Sequence, residues 1–172
     1  MISPTHERSK RPRSPLAGPY GHPFHAILVT VPIGAWIAAL VFDLVVVFGG
    51  DAETFAAGAA LLTAIGLVGG IAAAAIGFFD FSQLERGTKV HRIALIHMAL
   101  NLTAIALFGI SLLVRAVVGF DELSAIAVTL GVIGLIGLGV SGYLGGEMAY
   151  RYGVRVADER TQEGGFAESR RP

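Results

Sequence analysis

Residues Gly21–Leu28 read G-H-P-F-H-A-I-L and place two histidines at the entrance of a long apolar run. A second apolar run opens in the same way, with H-R-I-A-L-I-H at His91–His97. Four of the five histidines of the chain therefore lie where an apolar segment begins. Both stretches combine the start of such a segment with side chains that can bind a metal or a proton.

Four segments of the chain are long enough and apolar enough to cross a membrane. The 172 residues are 53 % hydrophobic and 15 % charged, whereas about a quarter of a soluble domain is charged. Segments 24–48, 55–79, 91–118 and 123–146 each exceed the ~20 residues that a membrane-spanning helix needs. A buried soluble helix rarely stays apolar on all faces for that length. The predicted fold class is all-α, a four-helix transmembrane bundle.

Basic residues predict the orientation of this bundle. They lie before the first segment, between the second and third, and after the fourth: Arg8, Lys10, Arg11, Arg13, Arg86, Lys89, Arg92, Arg151, Arg155, Arg160, Arg170 and Arg171. The other two connections contain no Lys or Arg. Because cytoplasmic loops carry the excess of basic residues, we expect a multi-pass protein of the inner (plasma) membrane with both termini in the cytoplasm.

Composition also predicts the domain organisation and excludes some chemistry. Residues 1–20 form a basic tail without an apolar segment, which we expect to be disordered; 21–152 form the membrane domain, and 153–172 a charged tail. The net charge is zero, so no overall field favours nucleic acid. The absence of cysteine excludes thiolate chemistry and disulfides. No nucleophile–base pair or phosphate loop is recognisable, and we expect no stand-alone enzyme.

The unusual residues of the segments repeat, which indicates a duplicated helical hairpin. An offset of 72 residues places His25 on His97 and Trp36 on Phe108. An offset of 65 residues places glycines of the second segment on glycines of the fourth, Gly66, Gly69 and Gly77 on Gly131, Gly134 and Gly142. Each copy crosses the membrane twice, so the copies are expected to be parallel repeats.

Helical geometry places the polar residues of the first and third segments on one face each. Eighteen residues make five whole turns and a rise of about 27 Å. His25 and Asp43 are therefore predicted at opposite ends of one face, as are His97 and Arg115. Ionisable groups inside a membrane normally face the bundle interior. We expect the histidines to meet near the cytoplasmic end, and the carboxylate and guanidinium to form an ion pair near the other. Trp36 and Phe108 would fill the space between the two levels.

The first functional hypothesis is a haem b held by His25 and His97. Imidazoles are common axial ligands of haem iron, and diagonal helices of a four-helix bundle leave room for a flat cofactor. Such a haem would transfer electrons and would not bind oxygen. The residues expected to line it are Asn101, Trp36, Gly70 and Gly142.

Two other interpretations remain open. A non-haem site for zinc, iron, copper or a proton could use the polar residues near the same end, His22, His25, Asp80, His91, His97 and Glu147. Alternatively, the polar residues only stabilise a scaffold that anchors or assembles other proteins. In that case Asp43 with Arg115 locks the bundle, and Glu147 pairs with Arg151 four residues later.

Several motifs together resemble one bacterial membrane family, the domain of unknown function 2231 (DUF2231). They are G-H-P-F-H-A-I-L-V-T-V-P-I-G-A-W at 21–36, H-R-I-A-L-I-H-M-A-L-N at 91–101 and S-G-Y-L-G-G-E-M-A-Y-R-Y-G-V at 141–154. The residues that match the family pattern are His22, Pro23, His25, His97, Asn101, Gly145, Gly146 and Glu147. The resemblance supplies no activity, but some relatives are joined to Rieske-type ferredoxin domains, which implies redox work.

That implication, with the composition, gives the expected partners. They are the lipid bilayer, and a quinone or a separate Rieske-type or ferredoxin-like protein. A homodimer could form through the glycine-rich helix faces.

Overall fold

In the computed structural model, which describes residues 3–166, all regular structure is helical, so the predicted fold class is confirmed. Seven α-helices follow each other along these residues: α1 Pro4–Lys10, α2 Phe24–Leu28, α3 Thr30–Val47, α4 Ala52–Phe81, α5 Lys89–Val118, α6 Ala125–Gly146 and α7 Glu159–Gly164. A 3-10 turn covers Pro15–Ala17, and a π-turn, Glu147–Arg151, extends α6.

Within residues 3–166, four helical spans are long and apolar enough to cross a membrane. They cover Phe24–Val47, Ala52–Phe81, Lys89–Val118 and Ala125–Arg151, with mean hydropathies between 2.1 and 2.2. Large apolar side chains point outward from the bundle, where a soluble protein would carry polar ones. This apolar exterior is the surface that contacts lipid.

The first span is broken between α2 and α3, at Val29. Pro32, four residues after Leu28, has no N–H to donate to the Leu28 carbonyl, and its ring crowds that carbonyl. The break therefore lies one turn before the proline, as expected for a proline inside a helix. It leaves His25 on a short segment of its own at the end of the bundle.

The four spans pack as two helical hairpins, α3 with α4 and α5 with α6. Between hairpins, α4 lies beside α5 and α3 beside α6, so that α3 and α5 are diagonal. Side-chain caps fix where the helices begin: Asp51 accepts from the Thr54 N–H at 2.9 Å, and Thr88 from the His91 N–H at 3.2 Å. The diagonal arrangement places the first and third spans, which contain His25 and His97, on opposite sides of the bundle axis.

The segments before and after the spans meet at one end of the bundle, here named the terminal end. The Tyr20 hydroxyl donates to the Asp158 carboxylate at 2.8 Å, and Arg155 Nη2 donates to the Ala17 carbonyl at 2.8 Å. The opposite end, with the α3–α4 and α5–α6 connections, is the loop end. The two ends of the chain therefore lie on the same side of the bundle.

The structure differs from the prediction of a disordered tail before the spans. Residues 3–20 contain α1 and the 3-10 turn, and Ser9, Lys10 and Ala17 are buried. After the spans, α7 begins at a side-chain cap in which Asp158 accepts from the Thr161 N–H at 2.8 Å. Residues 1–2 and 167–172, which complete the two predicted tails and include Arg170 and Arg171, lie outside the described residues.

Candidate functional site

Three pairs of side chains meet along the bundle axis, one member of each pair coming from each hairpin. From the terminal end to the loop end, this axial column consists of His25 with His97, Trp36 with Phe108, and Asp43 with Arg115. The three levels are those that the eighteen-residue spacing predicted, so the predicted geometry is confirmed. It arises because five helical turns return the side chains to the same face. In the first span, the helical dihedral angles of Val29, φ −62° and ψ −18°, continue this periodicity between α2 and α3.

The two imidazoles are close together and are held in the same way. Their ring centroids lie 6.2 Å apart, with 79° between the ring planes. Nδ1 of His25 lies 2.8 Å from the Ala73 carbonyl oxygen, and Nδ1 of His97 lies 2.8 Å from the Ser141 carbonyl oxygen. Because a carbonyl only accepts, both rings carry a proton on Nδ1, and Nε2 is left as the basic nitrogen.

Asn101 and Ser141 surround His97 but have no counterpart at His25. The amide nitrogen of Asn101 lies 2.8 Å from the His97 carbonyl, 2.6 Å from Ser141 Oγ and 3.1 Å from His97 Nε2. The position equivalent to Asn101 in the first repeat is Val29, at the helix break. Within residues 3–166 no hydrogen bond reaches Nε2 of His25. The two histidines thus share the contact of Nδ1 with a backbone carbonyl. Among the described residues, the further contacts of Ser141 Oγ with Nδ1, at 2.9 Å, and of Asn101 with Nε2 occur at His97 and not at His25.

Glycines on the neighbouring helix of each hairpin make room for the imidazoles. A Cβ at Gly77 would lie 2.7 Å from His25 Nδ1, and one at Gly145 would lie 3.3 Å from His97 Cε1. Each ring therefore rests directly on the backbone of α4 or α6. This contact explains how Nδ1 reaches a carbonyl that is already part of a helix.

Two glycines predicted to line a cofactor have other surroundings. Gly70 is buried, and a Cβ there would meet Trp36 at 3.2 Å and Ile105 at 3.3 Å. Gly142 is exposed, and a Cβ there would meet no described atom within 4 Å. The prediction that Gly142 lines the site is wrong, because this residue lies on the outer face of α6.

The middle level of the column is an aromatic stack. Trp36 and Phe108 are 1 % and 2 % exposed, with ring centroids 4.0 Å apart and planes inclined by 7°. The indole N–H donates to the Thr63 carbonyl at 3.2 Å. Gly66 lies under the indole and Gly134 under the phenyl ring. The stack fills the axis between the histidines and the ion pair.

The third level is a buried ion pair. Arg115 donates to Asp43 through Nη1 at 2.9 Å and through Nη2 at 2.5 Å, and both side chains are 3 % exposed. Nε of Arg115 has no hydrogen-bond partner within residues 3–166. The expected ion pair is therefore present, and it is bidentate.

Outside the column, the other proposed metal ligands do not converge. His22 is exposed, with Nδ1 3.4 Å from the Tyr20 carbonyl, and His91 lies against the Phe81 ring with centroids 5.1 Å apart. Within the described residues, no three His, Cys, Asp or Glu side chains could hold one metal ion. Among the described residues, no three of the six proposed ligands converge, and His25 and His97 are the two whose rings lie against each other.

The two carboxylates of that set are paired with arginines instead. Asp80 Oδ1 lies 2.9 Å from Arg155 Nε, with both side chains largely buried, and Glu147 lies 3.6 Å from Arg151. The Glu147–Arg151 pair is the one that the four-residue spacing indicated. Arg155, in contrast, was not singled out by its sequence, because nothing around it distinguishes it from the other basic residues of the predicted tail.

The sequence model of the family described as "Predicted membrane protein (DUF2231)" matches residues 21–158. This match covers all four spans and does not include α1, the 3-10 turn or α7. The chain belongs to the DUF2231 family. Comparison with curated proteins and with solved structures finds no match to this chain. The axial column of this DUF2231 protein is therefore interpreted below from its own geometry.

Proposed function

We propose that this DUF2231 protein is a membrane-embedded electron-transfer module in which His25 and His97 hold a haem b. The observation that supports the proposal is the histidine pair. Both rings come from diagonal spans, the first and the third, and both donate Nδ1–H to a backbone carbonyl at 2.8 Å. The ring centroids lie 6.2 Å apart. Metal-ligating histidines usually donate their other ring nitrogen in this way, which fixes the tautomer and raises the basicity of the ligating nitrogen.

The distance between the rings fits two ligands of one metal. A metal–imidazole bond is about 2.0–2.1 Å long. When one metal ion lies between two imidazoles, the two bonds and the two ring radii add up to a distance of roughly 6 Å between the ring centroids. The pair has that separation without any third ligand from the described residues. A haem would be held by His25 and His97 as its two protein ligands, whereas a structural zinc site would require four ligands.

Each residue around the pair has a definable task. The Ala73 and Ser141 carbonyls orient the imidazoles, and the Trp36–Phe108 stack closes the axis on the loop-end side. Asn101 would release His97 Nε2 and keep its bonds to the His97 carbonyl and to Ser141 Oγ. A haem held by both His25 and His97 would supply one-electron transfer and would not bind oxygen.

The orientation and the partners belong to this proposal. The basic residues around the terminal end support its placement on the cytoplasmic side of the inner membrane. The electron donor or acceptor would be a quinone or a separate iron–sulfur protein. Dimerisation through α6 is the expected use of its outward glycines, since small residues let helices approach closely.

A second candidate function is a scaffold without a cofactor. The observation in its favour is the 3.1 Å contact of Asn101 with His97 Nε2, which satisfies that nitrogen without a metal. In this interpretation the column holds the two hairpins together and contributes only stability.

Reconstitution with haem distinguishes the two functions. We expect the purified full-length protein in detergent to bind haem with the absorption spectrum of a six-coordinate, low-spin haem. His25→Ala and His97→Ala should each lose this spectrum, because either change removes one axial ligand. His91→Ala is the matched control, since His91 lies on the same helix as His97 but outside the pair. A wild-type protein that stays colourless, or a spectrum unchanged in both variants, would overturn the haem proposal.

A further inference from the structure

A cavity of about 590 Å³ lies at the terminal end, apart from the axial column. Its walls come from α1, the start of α5, the π-turn after α6 and the chain leading into α7. Its volume is within the 300–1,000 Å³ typical of sites for small molecules. The segments that enclose it are those that the sequence predicted to be tails.

The ammonium group of Lys10 is a buried charge in the wall of this cavity, whereas Arg151 and the two carboxylates of the lining are exposed. Lys10 is only 4 % exposed, and no carboxylate within residues 3–166 lies within 4.0 Å of its Nζ. Removing an ammonium group from water without an ionic partner is unfavourable. Asp158, which lines a second, smaller cavity together with Lys10, attracts this ammonium group without forming an ion pair within 4.0 Å. An anion in the larger cavity would give the ammonium group a direct ionic partner.

His6 approaches the same point of the wall as Lys10. A Cβ built on Gly153 would lie 3.0 Å from Lys10 Nζ and 3.4 Å from His6 Nε2. Gly153 has a φ of 68°, a conformation that favours glycine. This glycine leaves the space in which an ammonium and an imidazole converge.

The acidic residues of the cavity lie at its exposed rim. Glu85 accepts a hydrogen bond from the Thr5 hydroxyl and pairs with Arg8 at 3.9 Å, and its side chain is 51 % exposed. Glu159 is exposed at the start of α7. Solvent screens such charges strongly, whereas a buried charge is screened much less. Solvent therefore weakens the charges of these two carboxylates more than it weakens the charge of the buried ammonium group.

We propose that this cavity binds a phosphate group, held by Lys10 and His6. Ammonium and imidazole groups donate hydrogen bonds to phosphate oxygens, and such bonds to an ionised acceptor are among the stronger ones in proteins. Tyr150 lines the cavity and is 92 % exposed just beyond α6. Tyrosines at the ends of membrane spans mark the level of the lipid headgroups. A phospholipid headgroup is therefore the source of phosphate nearest to the cavity, and a soluble phosphate compound is the other.

Thermal unfolding of the delipidated full-length protein in detergent tests the proposal. We expect phosphatidylglycerol to raise the unfolding temperature, because a ligand that binds only the folded state stabilises it. Lys10→Met should weaken the apparent affinity about 10- to 100-fold, as expected for losing one charge-assisted hydrogen bond. Lys10→Arg should retain most of the effect. Lys89→Met is the matched control, because Lys89 is an exposed lysine at the same end.

Two further arms identify the source of the phosphate. Stabilisation by phosphatidylglycerol alone supports a lipid headgroup, and stabilisation by inorganic phosphate as well supports a soluble phosphate compound. Diacylglycerol, which has the acyl chains without the phosphate, should have no effect. His6→Gln keeps the buried charge and should weaken binding without changing the unfolding temperature of the free protein. Equal responses of wild type, Lys10→Met and His6→Gln, or an equal response to diacylglycerol, would overturn the proposal.

Discussion

Asp43 and Arg115 are the two side chains whose burial has the largest energetic consequence. Each is 3 % exposed, and two parallel hydrogen bonds join them at the loop end of the axial column. In an environment of low dielectric constant, removing one partner leaves an uncompensated buried charge, which costs about 3–5 kcal/mol. The pair therefore behaves as one unit that links the two hairpins.

This coupling gives a prediction for single and double substitutions. We expect Asp43→Asn or Arg115→Gln alone to lower the free energy of unfolding by about 3–5 kcal/mol. The double variant should lose less than the sum, because neither charge is then left alone. Unfolding curves in detergent for the four proteins of this cycle measure the coupling. Simple additivity would show that the two residues do not interact.

At the residue scale, the sequence predicts the column but not the partners of its histidines. His25 and Asp43 are eighteen residues apart, as are His97 and Arg115, and helical periodicity alone places each set on one face. The acceptors of the two imidazoles are backbone carbonyls, which every residue has. Sequence therefore could not indicate that these carbonyls belong to Ala73 and Ser141.

At the scale of the helices, glycines set how closely α4 and α6 approach the rings of the column. Gly134 on α6 lies under the Phe108 ring, and a Cβ there would lie 2.8 Å from Phe108 Cε2. Phe108 cannot move away easily, because its other face is stacked on Trp36. Gly137, one turn later on the same helix, faces no described atom within 4 Å. Gly134 and Gly137 therefore lie on the same helix, but an aromatic ring packs against the first and no described side chain packs against the second.

Alanine at these two positions should therefore have opposite effects. Gly134→Ala forces extra volume into a packed interior, which typically costs about 1–3 kcal/mol. Gly137→Ala should be neutral or stabilise by up to about 1 kcal/mol, because alanine is the better helix former. Thermal unfolding of both variants in detergent measures the difference. If Gly134→Ala is as stable as Gly137→Ala, the close contact of the ring with the helix backbone does not exist.

The same contacts correct the register of the predicted repeat. An offset of 65 residues aligned the glycines of the second and fourth spans, but the structure pairs Gly66 with Gly134 and Gly77 with Gly145, an offset of 68. The two offsets differ by three residues, which is nearly one helical turn. Because glycines recur at steps of three or four in both helices, sequence alone fits either register. The two registers are distinguished only by which aromatic or imidazole ring of the facing helix lies against each glycine.

For the molecule as a whole, the segments outside the spans close the terminal end of the bundle. Arg155, 4 % exposed, pairs with Asp80 on α4 and donates to the carbonyls of Ala17 and Gly18. The sequence predicts these segments to be tails because they show no local periodic pattern. Their contacts instead join residues about 138 positions apart. Long-range contacts of this kind were the part of the fold that the sequence could not predict.

The carboxylate of Asp158 also stabilises the contact between the segments that precede and follow the spans. Hydrogen bonds from the Thr161 N–H and from the Tyr20 hydroxyl hold its pKa below the ordinary 3.8. A carboxyl group with a lowered pKa stabilises the folded state above its unfolded pKa, and that contribution is lost as the pH falls through the lowered value. At neutral pH the contact between the two ends of the chain therefore has its full strength.

Arg155 is the residue that joins the most separate parts of this end, so its removal should open the segment before the first span. We expect Arg155→Gln to speed tryptic cleavage of the Arg13–Ser14 bond roughly tenfold or more, since hydrogen bonds to charged groups contribute about 1.5–3 kcal/mol. Cleavage requires the residues around the bond to open locally. This opening becomes more frequent when the hydrogen bonds from Arg155 to the Ala17 and Gly18 carbonyls are lost. Arg151→Gln is the matched control, because this arginine is 69 % exposed and pairs only with Glu147 among the described acidic residues. Equal cleavage rates in wild type and Arg155→Gln would mean that Arg155 does not hold the two ends together.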